Sequence, residues 1–287
     1  MKKLLFLTLL VTNVLFALAS MRVGILMPFR AEQDQTFGYM VKKGVDEFSK
    51  KNPDVEIRYV YPASDISFES YVKYFAIGFD VVLCVGYMYS PAVMNVAKKN
   101  PDKKFIIIDN VVDLPNVVSV IFDDYMAAYL AGEKVQKIFP KSKIGFIAAN
   151  PSFLMDNFYF GFSNGISEAD GELNLTREYI SNDITGFSSQ NRAEFIAEEL
   201  YSKGVDVILA PIGSSSIGVL RAAKKFNKQI VGIDRNFNEI SDSNVAFSIV
   251  KRVDRALVEV LSKAVKKTVK WGTTINYDFE NGGYEIK

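Results

Sequence analysis

Short runs of β-branched and aliphatic residues without a polar face recur along the chain, separated by longer stretches whose apolar positions repeat every three or four residues. "MRVGILMPF", "VEIRYVYP", "FDVVLCVG", "KKFIIID" and "NVVSVIFD" have the strand pattern. Between them, "TFGYMVKKGVDEFSKKNP", "SFESYVKYFAIG" and "SPAVMNVAKKNP" have the helical one. After the helix "DYMAAYLAGEKVQKIFP" the plan begins again. Strands are expected at "SKIGFIAAN", "LTREYIS", "VDVILAPIG", "KQIVGID" and "VAFSIVK". Helices are expected at "MDNFYFGFSNGISEAD", "NRAEFIAEELYSKG", "SSIGVLRAAKKFN" and "RVDRALVEVLSKAVKKTV". The tail, "WGTTINYDFENGGYEIK", carries two glycine-marked turns and short extended pieces.

Strands without a polar face, alternating with amphipathic helices, imply parallel sheets covered on both sides. One open sheet of so many strands is improbable. The pattern therefore predicts an α/β protein of two doubly wound sheets, with the break near Asp123 and Asp124. The halves share a plan and no repeated sequence.

The first twenty residues, "MKKLLFLTLLVTNVLFALAS", stand apart from this pattern. Two lysines, an apolar stretch and Ala17-Leu18-Ala19 read as a cleaved export signal, with a retained anchor as the alternative. No cysteine lies near the cleavage site, which excludes a lipid-modified cysteine. Export to the periplasm or the outer face of the cytoplasmic membrane is expected.

Charge is balanced at 34 basic against 33 acidic residues, so no basic face points to nucleic acid. The absence of histidine removes the commonest general base and metal ligand. Cys84 is the only cysteine and sits inside a strand, where a buried structural thiol is the expectation. No metal, cofactor or catalytic centre is expected.

Candidate chemistry lies where strands end. In open α/β sheets, ligands bind beyond the carboxyl ends of the strands. "FIIID" and "IVGID" both stop on an acid, Asp109 and Asp234, one from each half. A buried carboxylate needs a partner or a cavity. Facing halves would bring both acids to one cleft; alternatively each caps a following loop or helix. "PIGSSSIG", from Pro211 to Gly218, would expose backbone N–H groups at a helix start. Lys251 follows a strand at another helix start, where the dipole gives a cation nothing. An anionic neighbour such as Asp234 is expected to favour it.

These blocks, in order, resemble the basic membrane protein family, the substrate-binding proteins of ABC transporters that include purine nucleoside receptors. The likeness runs through "DQTFGYMVKKGVDEF", "FDVVLCVGYMYSPAVMNVAKKNPDKKFIIID", "NVVSVIFDDYMAAYLAG", "GVDVILAPIGSSSIGVLRAAKKF", "VGID" and "SIVKRVD". It implies the type I periplasmic binding protein fold, two doubly wound parallel-sheet lobes joined by a three-strand hinge. The lobes would take residues 21–122 plus 238–267 and residues 123–237 plus 268–287, after a signal peptide over 1–20. By the same resemblance, Phe37 of Asp34-Gln35-Thr36-Phe37 and Phe187 of "TGFSSQ" would sandwich a base. Core packing remains the alternative for Phe37, and packing over the lobe surface for Phe187. Asp234 and Lys251 would hold the ribose, Asp109 the base, and Gly213 would lie near the sugar. The chain departs from the family at Pro28 and Phe29, where nucleoside receptors carry a polar pair. Pro28 offers no side-chain hydrogen bond and no N–H. Reading of the base would then shift to Arg30, Gln33 or Asp109, or the ligand would be a smaller sugar or a modified base.

The function expected is capture of a nucleoside by a monomeric receptor and delivery to an ABC permease and ATPase complex. A sensory receptor of the same fold is the alternative. A secreted nucleoside hydrolase could draw carboxylates from Asp109 and Asp234, but lacks a histidine or an aspartate-rich metal motif.

Overall fold

The computed structural model describes residues 21–63, 68–170 and 174–287, so the expected export signal lies outside the described residues. In the first half the chain runs β1 (Arg22–Leu26), α1 (Phe37–Lys51), β2 (Glu56–Val60), α2 (Phe68–Gly78), β3 (Val81–Val85), α3 (Ser90–Lys99), β4 (Lys104–Ile108) and β5 (Val117–Phe122). The second half runs α4 (Asp124–Ile138), β6 (Lys143–Ala148), α5 (Phe153–Asp170), β7 (Leu175–Tyr179), α6 (Gln190–Ser202), β8 (Val205–Leu209), α7 (Ser216–Phe226) and β9 (Gln229–Ile233). Then follow β10 (Val245–Lys251), α8 (Val253–Val265), β11 (Thr273–Tyr277) and β12 (Tyr284–Ile286).

Two six-stranded sheets result, ordered β11-β5-β4-β3-β1-β2 and β12-β10-β9-β8-β6-β7. Every pairing is parallel except that of β12 with β10. The strand order reverses beside β1 in one sheet and beside β6 in the other, which makes the carboxyl edge there the place for a ligand.

The alternation of side chains across a strand divides the first sheet's core. Leu26, Val82, Cys84, Phe105 and Ile107 join α2 and α3 on one face. Their strand neighbours Ile25, Val81, Leu83, Ile106 and Ile108 join α1 and α8 on the other. Central strands are buried on both faces, so they read as continuous apolar runs, whereas the edge strands β2 and β7 keep exposed positions. Cys84 is fully buried in this core, and burial pushes its thiol far above the usual range.

The chain passes between the sheets three times: from β5 to α4, from β10 to α8, and from β11 to β12. Two of these strands lie in a different sheet from the one expected. The boundary at 238–267 put β10 with the first half, yet it pairs with β9 and β12 in the second sheet. The tail was expected in the second half, yet β11 pairs with β5 in the first sheet. Pairing partners decide membership here, and local sequence does not encode them. α8, by contrast, packs on α1 of the first half.

Candidate functional site: a cleft between the two sheets

Asp109 and Asp234, directly after β4 and β9, both have left-handed backbones, with φ of 66° and 69°. That conformation is sterically costly for most side chains and less so for aspartate. It ends each strand abruptly while the main chain stays tied to the sheet. The Asp109 N–H donates to Val120 O at 2.8 Å, and Asp234 O accepts from the Lys251 N–H at 3.1 Å. Both residues line one cavity between the sheets. Held strain of this kind clusters at functional sites.

The cavity brings together all six residues singled out from the sequence: Phe37, Asp109, Phe187, Gly213, Asp234 and Lys251. Phe37 opens α1. The Asp34 carboxylate caps that helix, accepting from Thr36 N at 2.8 Å, Thr36 Oγ1 at 2.6 Å and Gly38 N at 2.7 Å. The motif's acid thus fixes the first helical turn and with it the start of Phe37. Phe187 sits on the tight turn Ile184–Ser188. Its neighbour Gly213 has φ of 55°, and a Cβ there would stand 3.4 Å from Phe187 O. The "PIGSSSIG" stretch serves this turn as well as the cavity. Ser214 Oγ donates to Phe187 O at 3.0 Å, and Ser215 Oγ donates to Gly186 O at 2.7 Å and accepts from Ser189 N at 2.7 Å.

Lys251 ends β10 almost fully buried. Its ammonium lies 2.7 Å from Asp109 Oδ1 and 3.0 Å from Asp124 Oδ1, and the Tyr284 hydroxyl donates to the same Asp124 oxygen. The ammonium's direct partners are therefore Asp109 and Asp124, where Asp234 is the expected one; the Asp234 carboxyl acts on the ammonium through the field, and its main-chain O holds the Lys251 N–H. Burial alone would lower the ammonium's pKa, but the carboxylates of Asp109, Asp124 and Asp234 outweigh it and raise it. Burial pushes the Asp124 carboxyl up, against the opposing pull of Lys251.

Among the described residues, none donates a hydrogen bond to the Asp234 carboxyl. Burial, opposed by Lys251 and reinforced by Asp34, Asp109 and Asp124, pushes it up to about 8. It is an acceptor facing the cavity with its capacity unspent. Phe29, Met88, Leu154, Met155, Phe158 and Ile233 make much of the remaining wall apolar. Such a site can hold a flat apolar ring and take hydroxyl donors at one end.

Pro28, Phe29 and Arg30 also line the cavity, whereas Gln33 is exposed and does not. The Arg30 Nε donates to Ala63 O at 3.2 Å, and the guanidinium lies 4.9 Å from the Phe29 ring centre. Sequence reasoning missed Tyr87 and Met88 after β3 and the α5 start at Leu154 and Met155. The strand-end rule that found Asp109 would also have found these. It missed Tyr284 too, for which no local signal exists.

Residues 26–287 match the family model described as "ABC transporter substrate-binding protein PnrA-like". The chain is 33% identical over 201 residues to "Basic membrane protein B" of Borrelia garinii, a match covering 68% of this chain and 58% of that one. It is 25% identical to the "ABC transporter nucleoside-binding protein BmpA" of Lactococcus lactis, across 93% of this chain and 81% of that one. A solute-binding protein of an ABC transporter system from Aeropyrum pernix K1 superposes with a TM-score of 0.84 at 20% identity, covering 93% of this chain and 76% of that one. That likeness shows the type I periplasmic binding protein fold. With the family model spanning nearly the whole described chain, the protein belongs to the PnrA-like family of ABC transporter substrate-binding proteins.

Proposed function

We propose that the protein is an exported receptor that captures a purine nucleoside between its lobes and delivers it to an ABC permease and ATPase complex. The observation that carries this reading is Asp234, a buried carboxyl facing the cavity with no hydrogen-bond donor among the described residues. Vicinal ribose hydroxyls would supply two donors to it, each charge-assisted bond contributing about 1.5–3 kcal/mol. Phe37 and Phe187 come from opposite lobes and would enclose the base, with stacking adding about 0.5–1.5 kcal/mol beyond area burial. Asp109 keeps one oxygen on Lys251 and would turn the other to the base. Gly213 would let the sugar approach the backbone. Lys251 would hold the acids in place around the ribose.

Capture then closes the lobes about the three crossings, and the closed form docks on the permease. Export of the mature chain fits this use; among the described residues no helix is long and apolar enough to cross a membrane. Calorimetric titration of protein stripped of carried-over ligand with adenosine, guanosine and inosine tests the reading. Micromolar or tighter binding of at least one supports it, and silence with all three overturns it.

A further inference from the structure

Two sets of contacts join the lobes, one away from the cavity and one at its rim, where Tyr87, Met88 and Phe187 also line it. Arg235, just after β9 in the second lobe, lays its guanidinium 3.7 Å from the ring centre of Tyr39 on α1 in the first. Its Nη1 donates to Gln35 O at 3.4 Å, and its Nε donates to Glu239 Oε2 at 3.0 Å, which fixes the fork in place. The Arg235 side chain is only 16% exposed in this position. Elsewhere, Asn150 after β6 donates its Nδ2 to the Tyr87 hydroxyl of the first lobe at 3.1 Å. The Tyr87 ring meets Phe187 edge-on, with centres 6.3 Å apart. Ile184, from the second lobe, packs against the first lobe's core cluster. Arg235, Tyr39, Gln35, Asn150 and Ile184 do not line the cavity.

We infer that the Arg235–Tyr39 and Tyr87–Asn150 contacts are clasps that hold a fraction of the empty protein closed. Two-state hinges sit within a few kcal/mol of balance, so contacts between the lobes that need no ligand bias the empty protein toward closure. The strength of a single cation–π contact corresponds to a roughly 2- to 30-fold change in the closed-to-open ratio. Ligand must then enter through the unclasped fraction, and a clasped complex releases it slowly. Arg235 acts as a positioning residue, through lobe geometry and not through contact with ligand. The inference rests on the two lobes and their crossings and is independent of which ligand the cleft takes.

Electron–electron distance measurements on ligand-free protein test it directly. Spin labels on Lys98→Cys in α3 and Lys224→Cys in α7 report one exposed site per lobe, and the native Cys84 is buried away from the reagent. The protein is refolded from denaturant beforehand to remove carried-over ligand. The wild-type background should show a short and a long distance. Arg235→Ala and Tyr39→Ala should deplete the short one with thermal unfolding unchanged, while Tyr39→Phe, which keeps the ring, should retain it. A wild type with the long distance alone, or a short population unmoved by both alanine variants, overturns the inference.

Discussion

Lys251 and Asp109 meet at 2.7 Å across the junction of the two sheets, one closing a strand of the second and the other a strand of the first. Asp124, at the first crossing, bonds the same ammonium, and Tyr284, after the third crossing, bonds Asp124. The second crossing starts at Lys251 itself. All three connections between the lobes therefore converge on one buried charge at the base of the cleft, where hinge geometry and site electrostatics are the same set of atoms.

Removing that charge should be severe. Lys251→Met leaves the carboxyls of Asp109, Asp124 and Asp234 buried without their cation, and breaking a buried pair costs about 3–5 kcal/mol. Chemical denaturation at pH 7 should show a loss of that order. Adding Asp124→Asn should recover part of it, because one fewer uncompensated carboxylate remains.

A second prediction concerns pH and stability. The Asp234 pKa is raised by burial from 3.8 to about 8, so between those values the folded chain holds a proton that the unfolded chain releases. The contribution of Asp234 is therefore full below pH 4 and is lost as pH rises through about 8. Asp234→Asn removes this dependence. The variant should melt above wild type at pH 9, by about 2–4 °C for each kcal/mol relieved, and the gap should narrow toward pH 5.

Binding should show the opposite trend. A carboxylate accepts from two hydroxyls only when deprotonated, so ribonucleoside capture should release a proton from Asp234 at pH 7. Affinity should weaken from pH 8 to pH 6, approaching about tenfold per unit. Calorimetry in buffers of different ionisation enthalpy measures the released proton. No net release at pH 7 would contradict ligand bonding at this carboxylate.

The turn that carries Phe187 offers a test away from the ligand. Ser215 is fully buried and links Gly186 O to Ser189 N. Ser215→Ala strands both backbone groups, at about 1–3 kcal/mol. Stability should fall by that amount, and ligand affinity should fall as well because the turn no longer holds the Phe187 ring. A stability loss with unchanged affinity would separate the turn from the site.

Much of this arrangement is legible in the sequence because parallel α/β sheets place ligands by rule. The buried strands announce themselves as unbroken apolar runs, and whatever follows their carboxyl ends faces the cleft. Asp109, Asp234 and Gly213 are found that way. The partners of Lys251 are not, since Asp124 lies 127 residues from it and pairs through folding alone. The placement of β10 and β11 escapes for the same reason, because a strand near a crossing joins whichever sheet offers the matching edge. The serines of "PIGSSSIG" look like a ligand-facing loop in sequence, yet Ser215 is spent on the Phe187 turn.

The central claim is that Asp234 reads the sugar hydroxyls of a nucleoside. Calorimetric titration of wild type and Asp234→Ala with a ribonucleoside and its 2′-deoxy counterpart measures this most directly. Wild type should prefer the ribonucleoside by about tenfold or more, one charge-assisted bond's worth, and Asp234→Ala should bind both weakly and nearly alike. A variant that keeps the wild-type preference, losing affinity equally for both ligands, would contradict the account.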